Sequence, residues 1–66
     1  MSVCYNKLWM LLIDKDMKKK DLAALADISS SSIAKLANNK NVQTDILVKI
    51  CCALQCDISD IMEIKY

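Results

Sequence analysis

Apolar residues recur at helical spacing in four stretches of this chain, with polar residues between them. Leu8, Leu11 and Leu12 predict a first helix from about Asn6 to Lys15. Trp9 and Ile13 add a second apolar line beside the first, so this helix is apolar over more than one face. Leu22, Leu25 and Ala26 predict a second helix from about Lys19 to Ala26, and Ala23 and Ala24 add helix propensity. Ile33, Leu36 and Ala37 predict a third from about Ser30 to Ala37, with Ser29 as its N-cap. Ile46 or Leu47, then Ile50, Cys51 and Leu54, form the stripe of a fourth helix from about Thr44 to Gln55. Asp57 then caps a short fifth helix, with Asp60 three residues on and Ile58 and Ile61 turned to the core.

The connections sharpen this outline. Only Asp27-Ile28-Ser29 separates the second helix from the third, which sets a steep angle between them. Asn38-Asn39-Lys40-Asn41 reads as a polar loop in which Asn39 takes the left-handed backbone that glycine usually supplies. The ends allow two readings. Ser2–Tyr5 and Glu63–Tyr66 alternate in character and hold Val3, Tyr5, Ile64 and Tyr66, so they either pair as a two-strand ribbon or stay single. A ribbon that short needs the apolar side of the first helix beneath it. The expected architecture is all-α, a compact five-helix domain, with that ribbon as the open alternative.

Composition narrows the chemistry. At 66 residues the chain holds one domain, 1–66. Its stability should be roughly 3–10 kcal/mol. There is no Gly, Pro, His, Phe or Arg. Without Gly there is no phosphate-cradling P-loop or dinucleotide fingerprint. Without His there is no Ser-His-Asp triad and no HExxH or Cys₂His₂ zinc site. No enzyme activity, cofactor, metal or small-molecule effector is expected. The longest apolar run, Leu8 to Ile13, is six residues, against the roughly 20 of a membrane span. No leader pattern is visible, and the cytoplasm is the expected location. Cys51, Cys52 and Cys56 sit in one apolar-periodic segment and read as small hydrophobes in a reducing compartment. A zinc site from Cys4, Cys52 and Cys56 lacks both CxxC spacing and a fourth ligand.

The net charge is only +1, but its distribution is uneven. Five Lys and two Asp lie between Lys18 and Lys40, while residues 41–66 hold two Lys and four acids. One face can be basic while the whole is near neutral. Lys18, Lys19 and Lys20 begin the second helix, where the macrodipole disfavours cations. Lys18 takes the N-cap position, where Ser, Thr or Asn is usual. A phosphate docked on the free N–H groups and the Lys side chains accounts for that choice.

The ordered set Met17-x3-Asp21-Leu22-x3-Ala26-x-Ile28-Ser29-x3-Ile33-x2-Leu36-x-Asn38, followed by Leu47, Ile50, Leu54 and Asp57-Ile58, resembles the Cro/lambda-repressor-like helix-turn-helix family. It covers about Leu8 to Met62, with the motif at about 18–37, and is similar to the short bacterial and phage regulators of that family. The resemblance implies a double-stranded DNA-binding transcriptional regulator, a repressor, acting as a homodimer. In that family the second motif helix enters the major groove and the first crosses the backbone. Carried over, Ser30, Ser31 and Lys35 face base edges. Lys18, Lys19, Lys20, Ser32, Asn38, Lys40 and Asn41 contact phosphates. The dimer surface is either the fifth helix and tail (Ile61, Met62, Ile64, Tyr66) or the outer side of the first helix (Trp9, Met10, Ile13).

Three departures modify these expectations. The turn has Asp27 where the family often has Gly. Leu12 and Ala37 stand where the family often pairs an Arg with a Glu, which implies an apolar contact in place of an ion pair. With no Arg, bidentate contacts are absent and direct readout is thin, so phosphate contacts and DNA shape matter more. The same scaffold also serves as a protein-interaction module, such as an antitoxin or accessory subunit. There the apolar stripe of the first helix or the tail would hold another protein.

Overall fold

A computed structural model describes residues 2–66. In chain order these form β1 (Ser2–Cys4), α1 (Asn6–Asp14), α2 (Lys19–Ala26), α3 (Ser30–Ala37), α4 (Thr44–Leu54), a 3-10 turn (Ile58–Asp60) and β2 (Glu63–Lys65). The expected compact helical domain is present together with the ribbon that the ends allowed, and the five-helix count is corrected to four α-helices and one 3-10 turn. The fifth segment stays a single turn because it is closed at both ends. Asp60 Oδ2 accepts the Asp57 N–H at 2.9 Å, and β2 begins three residues after Asp60.

All four α-helices end without glycine. Asp16, Asp27, Asn39 and Gln55 hold φ of 56°, 57°, 55° and 53°. After each, the next residue's N–H reaches back to a carbonyl five residues upstream. The bonds are Met17 to Leu12, 2.9 Å, Ile28 to Ala23, 3.1 Å, Lys40 to Lys35, 2.9 Å, and Cys56 to Cys51, 3.0 Å. This is the Schellman closure, made here by Asp, Asn and Gln at positions where glycine avoids the Cβ clash.

The two termini pair antiparallel, Ser2 opposite Lys65, Val3 opposite Ile64 and Cys4 opposite Glu63. Val3 and Met62 pack against the core, which supplies the apolar support so short a ribbon requires. Tyr5 is not a strand residue. It is the N-cap of α1, 1% exposed and part of the core.

Core membership follows the predicted stripes with three exceptions. Leu8, Leu12, Leu22, Ala26, Leu36, Leu47, Ile50, Leu54 and Ile61 are buried. Leu25 is 57% exposed, Ile58 is 38% exposed and Ala37 is exposed. α2 is eight residues long and packs mainly on α4, so only its Leu22–Ala26 line is covered. Leu12 is in the core while Ala37 faces solvent, so the structure gives no support to the expected contact between them. The Cα radius of gyration is 10.7 Å, against about 11 Å for a compact chain of this length.

Candidate nucleic-acid interface

The start of α2 is built by a trade between two side chains. Lys18 is the N-cap, with extended backbone, and its ammonium cannot accept a hydrogen bond. Asp21 Oδ2 instead accepts the Lys18 N–H at 2.9 Å, the carboxylate half of a capping box. Asp21 also sets negative charge in the first turn and offsets part of the dipole cost of three lysines. Lys at the cap is thus less costly than its residue type suggests. Lys18 still supplies no side-chain cap of its own.

Lys19 is not a free chain. Its Nζ lies 4.8 Å from the centroid of the Trp9 ring, within cation–π range. Trp9, Leu12, Ile13, Met17, Lys18 and Lys19 line one groove between α1 and the start of α2. Lys20 is exposed beside them.

Helix α3 opens on a hydroxyl cluster. Ser29 caps it by accepting the Ser32 N–H at its Oγ, 3.2 Å. The same Oγ lies 2.9 Å from Ser31 Oγ and 3.2 Å from Ser32 Oγ. Two of the three expected serines are therefore partly occupied within the protein, and Ser30 is exposed beside them. No acid stands in the first turn, so the positive end of the helix is uncompensated. Ser32 and Lys35 share a cleft of about 260 Å³ with Val42, Gln43 and Ile46. Gln43, the N-cap residue of α4, is a candidate polar contact that sequence reasoning missed. It lies across the loop from Lys35, and linear spacing does not reveal that closeness.

The loop after α3 is more structural than its composition implies. Asn38 Nδ2 donates to the Ala34 carbonyl at 2.9 Å, and Asn39 Oδ1 accepts the Tyr5 N–H at 3.1 Å. Lys40 and Asn41 are exposed. Among the described residues the one ion pair is Lys65 with Glu63, 3.4 Å. The ammonium groups of Lys18, Lys19, Lys20, Lys35 and Lys40 therefore meet no carboxylate.

The thiols form a separate group. Cys4 is buried, Cys51 and Cys56 are half-buried, Cys52 is exposed, and all four are free. Burial and the neighbouring Cys56 push the Cys51 thiol up to about 11, and burial also raises Cys56. No three or more His, Cys, Asp or Glu of the described residues are grouped to hold a metal ion. No helix of the described residues is long and apolar enough to cross a membrane.

Comparison with known proteins gives a family and a structural relative. The Cro/C1-type HTH DNA-binding domain family matches residues 7–65. A crystal structure of the transcriptional regulator VanUg is similar at a TM-score of 0.90 and 52% sequence identity, over 94% of this chain and 83% of that chain. No curated protein matches.

Proposed function

The chain belongs to the Cro/C1-type helix-turn-helix DNA-binding family, and from that premise we propose that it is a sequence-specific repressor of transcription. It binds double-stranded DNA in the cytoplasm as one helix-turn-helix domain, with the motif at 18–37 and no catalytic role. Residues Ser30, Ser31 and Lys35 face base edges, and Lys18, Lys19, Lys20, Ser32, Lys40 and Asn41 hold phosphates. Asn38 has an amide N–H left for a phosphate after its bond to Ala34, because the group carries two. The observation that supports this reading is the set of five exposed lysines at positions 18, 19, 20, 35 and 40, none of them paired with a carboxylate among the described residues, together with an α3 first turn that holds no acid.

A monomer offers about 3–5 Lys–phosphate contacts, too few for tight binding at physiological salt. Two copies therefore pair about a two-fold axis and read half-sites about 34 Å apart. Ile61 is fully buried and drops out of the tail surface, leaving half-buried Met62 with Ile64 and Tyr66, the last two 50% and 96% exposed. On α1, Met10 and Ile13 are 65% and 75% exposed. The same α1 residues favour the second reading, a module that holds another protein.

Selection from random duplexes, followed by footprinting, tests the DNA reading. The expected result is an enriched two-fold site, lost in a folded variant carrying Lys18→Glu, Lys19→Glu and Lys20→Glu. Failure to enrich any sequence, or enrichment unchanged in that variant, contradicts it. Ile13→Asp and Tyr66→Asp, compared by sedimentation, separate the two dimer surfaces.

A further inference from the structure

We infer that Trp9, which lies outside the helix-turn-helix motif, is a positioning residue for DNA binding, holding the Lys19 ammonium on its ring so that the amine is presented ready for a phosphate. The inference rests on the DNA reading proposed above. The ring belongs to α1 and the ammonium to the first turn of α2, 4.8 Å apart. Trp9 is half-buried and packs against the core, so the ring is fixed by its packing. Lys19 is exposed and has no carboxylate partner among the described residues.

Three physical facts connect this pair to phosphate binding. A lysine at a helix N-terminus is disfavoured by the dipole and, left alone, samples many rotamers. The negative face of an indole offsets the first effect and limits the second. An ammonium has three donors, and a ring on one side leaves the opposite side open to a phosphate oxygen. Lys20, the next residue, has no such ring beside it in the described structure and serves as an internal control.

The test is DNA affinity at fixed salt, measured by fluorescence anisotropy on wild type, Trp9→Leu, Trp9→Phe, Lys19→Met, Lys20→Met and the double variant Trp9→Leu/Lys19→Met. Trp9→Leu should weaken binding about two- to five-fold, the equivalent of one cation–π contact. Trp9→Phe keeps an aromatic face and should recover most of that loss. In the Lys19→Met background Trp9→Leu should have no further effect. Lys19→Met should cost more than Lys20→Met, a comparison between exposed side chains that cannot be confused with unfolding. An equal Trp9→Leu loss in both backgrounds, or equal losses for the two lysines, overturns the inference while leaving the DNA reading in place. Absence of wild-type binding overturns both.

Discussion

Asn39 Oδ1 accepts the backbone N–H of Tyr5 at 3.1 Å, which ties the loop after α3 to the start of α1, 34 residues upstream. Asn39 does this while its own backbone sits at φ 55° and closes α3. One residue thus ends the helix proposed to read DNA and satisfies a donor at the edge of the core. The other non-glycine caps do not share this double role. Gln55 makes no side-chain hydrogen bond among the described residues.

Glycine substitutions at these two caps should therefore diverge. Gln55→Gly removes a left-handed strain and loses no partner, and should raise stability by about 1 kcal/mol. Asn39→Gly relieves a smaller strain, because Asn tolerates the left-handed region, and strands the Tyr5 N–H, which costs about 1–3 kcal/mol. It should be neutral or destabilising. Urea unfolding of both variants checks the pair, and an equal gain from both would remove the structural role given to the Asn39 amide.

Ser29 should be separable from its neighbours. Ser29→Ala removes the N-cap of α3 and should cost about 1 kcal/mol. Ser31→Ala and Ser32→Ala leave the cap bond to the Ser32 N–H in place and should stay within about 0.5 kcal/mol. Thermal or urea melts of the three variants decide this. A larger loss from Ser31→Ala than from Ser29→Ala would contradict the assigned cap.

The thiols should react in order of exposure. Cys52 is exposed, whereas Cys51 and Cys56 are half-buried with thiols pushed up by burial. Maleimide labelling near pH 7.5, followed by mass spectrometry, should give one fast modification at Cys52. The raised Cys51 thiol also links stability to pH. The folded state holds the Cys51 proton up to about pH 11, from an ordinary value of 9.0. Its contribution is complete below the ordinary value and lost as pH rises through the folded one. Tyr5, also raised by burial, acts in the same direction at higher pH. Stability should fall between about pH 9 and 11, and Cys51→Ala should flatten the first part of that fall.

The four α-helices were legible in the sequence because each buries an apolar line at i, i+3 or i+4 spacing, such as Leu8–Leu12, Leu22–Ala26 and Ile50–Leu54. The left-handed role of Asn39 is legible from its residue type at the end of a helix. Leu25 was misplaced because periodicity says which side of α2 is apolar, not how wide a strip its neighbour α4 covers. Alternation leaves Tyr5 between a strand end and a single tail, and does not reveal that it caps α1 and enters the core. The Trp9–Lys19 contact and the Ser32–Gln43 cleft were hidden as well. They arise where separate elements approach, and no local spacing encodes that approach.

The most direct test of the proposed DNA contact is a fluorescence-anisotropy titration of the folded protein with random-sequence duplex DNA at about 50 and 200 mM salt. With about 3–5 phosphates neutralised per chain, affinity per binding chain should fall roughly 40- to 500-fold across that interval. No binding at the lower salt, from folded protein at tens of micromolar, would contradict it and direct attention to Met10 and Ile13 as a surface for another protein.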